Sequence, residues 1–509
     1  MKKILSTALA LALCLPMSAQ LLRTTVAQGE IEGELFEGFA LYRAIPYAEA
    51  PVGNLRWKAP VPKAPWQGVY KAEKWGNRPH QKTDPNQNGN DIAMSEDCLY
   101  LSVETPAKST AERLPVFVNI HGGAFATGSY SGTQESFCKE GIVYVSIEYR
   151  LGALGFMAHP ELAKESPDGI SGNYGIYDQI CALNWIHDNI AAFGGDPGQV
   201  TICGESAGGI SVSILCASPL CKGLFQRAIS ESGGNFCPVS DGKGLTSTMK
   251  PFQLAQETGS VFQKKMKAKN LKQLRKVDAQ ALIDSTAQEN FWPVVDGIAI
   301  TGDQYKLYEQ GIYNDVDVMV GYNSDEGSLF VYQMPYSMYG QTMKSQFGDE
   351  WVAEAMKAYP ASNDQEALYA VQDIFRDSAF GWGSWAWCNL QSKTGKSNVY
   401  MYYFDQQSQN SILKNTRGAT HVAEMPFIYG WNWGPMTDTD AHMAQIMPQY
   451  WINFIKTGNP NADGLPYWTT YKQGEATVMN MHNGFCLTKA PNQQQMDFFE
   501  AYFKAMRNK

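Results

Sequence analysis

The chain has 509 residues, 44% hydrophobic, 12% aromatic and 18% charged, enough apolar material for a large core and unlike disordered, collagen-like or coiled-coil sequences. A mean hydropathy of −0.31 excludes a multispanning membrane protein. With 41 Lys and Arg against 50 Asp and Glu the formal charge is −9, and no basic run able to track a phosphate backbone occurs, which argues against nucleic acid as a partner.

The N-terminus reads as an export signal. Lys2 and Lys3 precede an apolar run from Ile4 to Leu15, then Pro16 and Met17-Ser18-Ala19-Gln20, the charged, apolar and small-residue order of a secretory leader. Cleavage is expected after Ala19, leaving 20–509 as a single domain of a periplasmic or secreted protein. The run is too short for an ordinary membrane anchor. Cleavage removes one of the ten cysteines, so at least one remaining thiol is unpaired and the disulfide connectivity stays open. Neither a CxxC pair nor an HExxH sequence is present, and no metal or cofactor is expected.

Further along, Ala48 to Gly68 carries Pro51, Pro60, Pro62 and Pro65 with Trp57 and Trp66, the composition of an ordered extended segment. Thr83 to Asp91, rich in Asn, Gly and Asp, reads as the mobile piece. From about residue 114 short β-branched apolar runs alternate with helical stretches. Val116–Ile120, Val143–Ile147, Val200–Cys203, Ala228–Ser230, Val316–Val320 and Val399–Phe404 read as strands, and Tyr177–Asn189 and Ile210–Cys216 as helices. Continuous apolar runs suit strands covered on both faces, so the fold class is α/β with a large, mostly parallel central sheet flanked by helices. Trp382, Trp385, Trp387, Trp431 and Trp433 make the final third aromatic-heavy, through packing or as part of a substrate cleft.

Chemistry concentrates at Gly204-Glu205-Ser206-Ala207-Gly208, which follows the strand Val200–Cys203 and opens a helix. A strand-to-helix turn this sharp strains its central residue and demands small neighbours, leaving the Ser206 hydroxyl exposed at a helix N-terminus. A second small-residue loop, His121-Gly122-Gly123-Ala124-Phe125, follows the strand Val116–Ile120 and could offer amides to a developing oxyanion. Ser206 needs a base, and the base a carboxylate. In the chain order Ser, acid, His the candidate bases are His421, His442 and His482, with His421 favoured by its small-residue loop and His442 expected on a solvated helix. The acid should follow the strand Val316–Val320, where local physics does not separate Asp325 from Glu326.

These features, together with Ser95-Glu96-Asp97-Cys98-Leu99, Asn189-Ile190, Phe193-Gly194-Gly195-Asp196-Pro197, Ser230-Glu231-Ser232-Gly233 and Thr457-Gly458-Asn459-Pro460, make the chain resemble the type-B carboxylesterases. This α/β-hydrolase family includes the cholinesterases and the bacterial para-nitrobenzyl esterases, and the likeness runs over nearly the whole chain after the leader. The resemblance implies a serine esterase acting on small-molecule carboxylic esters through an acyl-enzyme. It implies Glu326 as the acid, His421 as the base, Gly123, Ala124 and Ala207 as oxyanion donors, and Glu205 and Ser232 as a supporting shell. It further implies an ion pair between Glu96 and Arg150. Where relatives carry a cysteine that pairs with the one in Glu-Asp-Cys, this chain has His80, so Cys98 is expected to be a buried thiol. Phe125, Phe291, Trp292 and the Trp382–Trp387 group are candidate pocket walls. A feruloyl or other plant-polymer esterase, a lipase, or a non-catalytic binding protein on the same fold are the competing readings.

Overall fold

The computed structural model describes residues 20–82, 92–129, 132–240, 249–286, 291–408, 413, 416–431 and 434–508. The expected leader, the 83–91 loop and Trp433 lie outside them. One large sheet organises the chain. Its strands are β1 (Glu34–Phe36), β2 (Phe39–Pro46), β3 (Tyr100–Thr105), β4 (Leu114–Ile120), β5 (Val143–Ile147), β6 (Gly195–Glu205), β7 (Arg227–Glu231), β8 (Asp317–Asn323), β9 (Val399–Phe404), β10 (Thr477–Met481) and β11 (Phe485–Lys489). They lie in the order β11-β10-β9-β8-β7-β6-β4-β5-β3-β2-β1. Every pairing from β5 across to β10 is parallel, and antiparallel pairs occupy only the two margins. This is the mostly parallel sheet expected of an α/β-hydrolase, and the expected strands at Val143–Ile147 and Val399–Phe404 coincide with β5 and β9.

The continuous apolar runs arise because both faces of the sheet are covered. Along β4, Val116, Val118 and Ile120 enter one apolar cluster while Phe117 enters another. In β9, Val399, Met401 and Tyr403 share the first cluster, whereas Tyr400, Tyr402 and Phe404 belong to the second. Helix α1 (Tyr174–Asn189) and helix α2 (Ala207–Ala217) pack on the first face. Nearly every residue of α2 is buried, so it is apolar all round, as a helix enclosed by the core must be. Trp382 and Trp387 are fully buried packing residues, the former stacked 5.9 Å from Tyr305.

The expected Glu96–Arg150 pair is not the one that forms. Arg150 instead grips Asp178 of α1, with Nε to Oδ2 at 2.8 Å and Nη2 to Oδ1 at 2.7 Å, and its backbone N–H donates to the same carboxylate. Glu96 takes a two-point ion pair from Arg56, whose Nη1 also donates to the carbonyls of Arg275 and Val277. A fully buried guanidinium needs a fully buried carboxylate in fork-to-fork register. Asp178 is fully buried, whereas Glu96 retains some solvent contact. Cys98 is a buried free thiol, as are the other described cysteines apart from the half-buried Cys181 and Cys237 and the exposed Cys486.

The register of the parallel strands sets the site. Ile120 pairs with Gly204, Glu205 with Glu231, Glu231 with Gly321, and Asn323 with Phe404. The C-terminal ends of β4, β6, β7, β8 and β9 therefore stop at one level, and the loops that leave them meet at one crevice.

Candidate active site

Ser206 sits between β6 and α2 with φ 58° and ψ −122°, a backbone conformation costly for a side-chain-bearing residue. Close packing enforces it. A β-carbon on Gly208 would lie 2.0 Å from the Ile120 carbonyl oxygen, and one on Gly204 would lie 2.4 Å from the Gly208 carbonyl carbon. The Ser206 N–H donates to the Glu231 carbonyl at 2.9 Å, tying the turn to the end of β7.

His421 stands on the loop after β9, and a parallel bridge between Asp325 and Thr420 joins that loop to the one after β8. The structure separates the two acids that local sequence could not. Glu326 Oε2 is 2.5 Å from His421 Nδ1, while Asp325 receives the Arg417 backbone N–H and guanidinium. Glu326 Oε1 accepts from Ser232 Oγ at 2.6 Å and from the Asn323 N–H at 2.7 Å. These bonds fix the carboxylate and leave Nε2 as the imidazole nitrogen facing the crevice. Nε2 lies 3.1 Å from Glu205 Oε1. Among the described residues no hydrogen bond joins Ser206 Oγ to His421, a contact that commonly closes only around substrate.

The loop after β4 is also bent against its preference. Gly123, Ala124 and Phe125 have φ of 101°, 55° and 55°. A β-carbon on Gly122 would come 3.2 Å from Ser206 Cβ, so this loop lies directly against the serine. Among the described residues the N–H groups of Gly123, Ala124 and Ala207 donate to no acceptor, as donors held for a transient anion must be.

Four carboxyls are buried together here. Besides Glu326 they are Glu205, Glu231 and Glu424. Burial pushes the Glu231 carboxyl up to about 7, against hydrogen bonds from Trp451 Nε1 at 2.7 Å and Cys203. Burial, reinforced by neighbouring carboxylates, also raises Glu205 and Glu424. For His421 burial disfavours the imidazolium, but Glu205 and Glu326 outweigh it and raise the ring above its ordinary value. Asn323 links the group, donating from its side chain to the Thr420 carbonyl at 2.9 Å and to Glu424.

Of the suggested pocket walls, Phe125 is wholly buried and packs against Phe156 and Trp292, and Phe291 packs edge-on to Phe262. Trp292, edge-on to Phe125, thus braces the end of the oxyanion loop. His442 is exposed on the helix Asp438–Thr457, and His482 is exposed beside Asp405. Sequence reasoning missed the rings that do touch His421. Phe380 stacks on it at 4.7 Å and Phe330 lies at 5.1 Å, the latter 42% exposed. Phe380 belongs to a π-helical turn, Asp377–Gly381, a local insertion frequent at functional sites that has no sequence signature. Phe330 lies four residues after Glu326, a spacing that could have suggested it. Among the described residues there is no cluster suited to a metal ion and no helix long and apolar enough to cross a membrane.

The sheet, the strained serine turn and the buried Glu–His pair define an α/β-hydrolase of the serine type. The Carboxylesterase family model matches residues 20–499, and the chain belongs to that family. It is 31% identical to the fumonisin B1 esterase of Sphingopyxis macrogoltabida, covering 93% of this chain and 90% of that one. It is 30% identical to the para-nitrobenzyl esterase of Bacillus subtilis strain 168, over 92% and 97% of the two chains. A solved PNB esterase structure superposes with a TM-score of 0.81 at 29% identity, covering 94% of this chain and all of that one. The protein is a carboxylesterase-family hydrolase, and its substrates are small-molecule esters.

The raised His421 has a kinetic consequence. A base must be neutral, so kcat/KM falls as pH drops through the histidine's raised value, placing the acid limb above the ordinary imidazole value of about 6.5. Glu205→Gln removes one carboxylate beside Nε2 and is expected to move that limb down by about one unit. A pH–rate profile with the limb unmoved would mean Glu205 does not set the charge of His421.

Proposed function

We propose that Ser206 is the nucleophile of carboxylic-ester hydrolysis, His421 the general base and acid, and Glu326 the carboxylate that orients it. Ser206 Oγ attacks the ester carbonyl as His421 takes its proton. The tetrahedral oxyanion is held by the N–H groups of Gly123, Ala124 and Ala207. Its collapse expels the alcohol, which receives the proton, and water then releases the acid from the acyl-enzyme by the same route. The observation that carries this reading is the 2.5 Å Glu326–His421 contact, in a site where the loop of Gly123 and Ala124 lies against Ser206. Glu205 and Ser232 act as supports, the first through the charge of His421 and the second through Glu326.

The substrate we propose is a broad range of small carboxylic esters. Phe330 and Phe380 flank His421, where the leaving alcohol must stand to receive its proton, and this favours esters with apolar or aromatic groups there. The relatives are named for different substrates, among them fumonisin B1 and phenmedipham, which supports breadth over a single ester. Against p-nitrophenyl esters of increasing acyl length and methyl ferulate, hydrolysis is expected to favour short acyl chains. Ser206→Ala should lower it at least about 10³-fold with an unchanged unfolding midpoint. A dominant ferulate or long-chain preference would replace the broad reading with a plant-polymer esterase or a lipase, and silence from folded wild type would favour a binding role.

We also propose export. The family match begins at residue 20, where the leader is expected to end. N-terminal sequencing of protein made in a Gram-negative host should find Gln20 first in the exported fraction, and an intact N-terminus retained in the cytosol would contradict it.

A further inference from the structure

The oxyanion loop is too strained to hold itself. Besides Gly123, Ala124 and Phe125, Gly128 has a φ of 111°. Such a conformation persists only where surroundings over-determine it. At the near end, the loop continues from β4 and Tyr149 Oη donates to the His121 carbonyl at 2.7 Å. In the middle, the Ala126 and Thr127 N–H groups both fold back onto the Gly123 carbonyl, at 3.0 and 2.9 Å, so the positions of the Gly123 and Ala124 peptides follow that of the 126–128 segment. The Phe125 carbonyl also accepts the Gly152 N–H at 2.7 Å, and at the far end Ser129 Oγ donates to Glu148 while Gln81 grips the backbone of Gly128. Gln81 Nε2 donates to the Gly128 carbonyl at 2.7 Å, and Gln81 Oε1 accepts the Gly128 N–H at 2.9 Å.

A side-chain amide that satisfies both backbone groups of one residue acts as a substitute strand neighbour and fixes that residue's position and orientation together. Gln81 is only 7% exposed, so its bonds are shielded from competing water. Gly128 has no room to adapt. A β-carbon there would meet His121 Nδ1 at 2.4 Å and the Gly122 carbonyl oxygen at 2.5 Å, so the clamped residue presses on the start of the same loop. The clamp is itself anchored from another part of the chain. Gln280 Nε2 donates to the Gln81 carbonyl at 3.0 Å, and Gln280 Oε1 contacts His80 Nδ1 at 2.9 Å.

We propose that Gln81 is a positioning residue that closes the oxyanion loop against Ser206 and aims the Gly123 and Ala124 amides. The proposal rests on the reading of those amides as oxyanion donors. A residue that works this way affects the transition state more than the bound substrate, since the oxyanion exists only in the former.

The test compares wild type, Gln81→Ala, Gln81→Glu and Gln280→Ala on p-nitrophenyl butyrate, with inhibition by an alkyl trifluoromethyl ketone, which forms a tetrahedral oxyanion adduct, and by the matching non-fluorinated ketone. Gln81→Ala is expected to lose kcat by about 10–100-fold with KM changed less than about threefold, and to lose trifluoromethyl ketone affinity in parallel with kcat/KM. Gln81→Glu keeps the acceptor for the Gly128 N–H but loses the donor to its carbonyl, and Gln280→Ala loosens the anchor. Because Gln81→Glu also sets a carboxylate oxygen against that carbonyl, it should lose at least as much as Gln81→Ala, whereas Gln280→Ala should give a smaller loss of the same kind. Should the Gln81 variants not fold, Gln280→Ala carries the test, and undiminished kcat there would overturn the proposal. Undiminished kcat in a folded Gln81 variant, or a kcat loss without the parallel loss of ketone affinity, would overturn the proposal. Failure of the underlying serine-hydrolase reading looks different, because wild type itself would then leave p-nitrophenyl butyrate intact and bind both ketones equally.

Discussion

The backbone of Ser206 is the constraint on which the rest of the site depends. Its φ of 58° is imposed by the approach of α2 to the end of β4, where Gly208 touches the Ile120 carbonyl so closely that no side chain fits. That contact exists because β4 and β6 are parallel neighbours with Ile120 opposite Gly204. A sheet register is thereby converted into the position of one hydroxyl. The same register brings Glu231 beside Glu205 and Gly321 beside Glu231, so the loops carrying Ser232 and Glu326 leave the sheet at the height of the serine. The strain at the turn is offset by the core on both faces of the sheet, and chemistry can be placed on short loops because rigid strands end just beneath them.

The electrostatic character of the site follows from the same convergence. Four glutamates are buried around one imidazole, and only Glu326 is supplied with donors on both oxygens. Burial raises Glu205, Glu231 and Glu424, while Glu205 and Glu326, on either side of the ring, raise His421 against its own burial. An imidazolium formed during acyl transfer is stabilised where it arises, by Glu326 at Nδ1 and Glu205 at Nε2.

Much of this was legible in the sequence where a local rule governs it. The inner strands announced themselves as apolar runs because both faces of the sheet are covered, and Gly204 to Gly208 announced the elbow because only small residues fit it. The choice of Glu326 over Asp325 came from family resemblance, since both residues follow the same strand and differ only in which loop each side chain meets. Partner choice among Arg56, Glu96, Arg150 and Asp178 was not legible. Each charge had more than one complement, and three-dimensional burial selected the pairs. Phe380 was likewise hidden, because a π-turn with no sequence mark carries it to His421. The packing of Phe125 was not legible either, since its left-handed backbone and the rings of Phe156 and Trp292 around it have no mark in the local sequence.

The most direct test of the account is covalent mapping of the nucleophile. Incubation with a fluorophosphonate, followed by peptide mass spectrometry, should place one adduct on Ser206, with labelling abolished in Ser206→Ala and slowed at least about 10²-fold in His421→Ala. Stoichiometric labelling of a different residue, or undiminished labelling of Ser206→Ala, would contradict the assignment of Ser206 as the residue that this fold is built to expose.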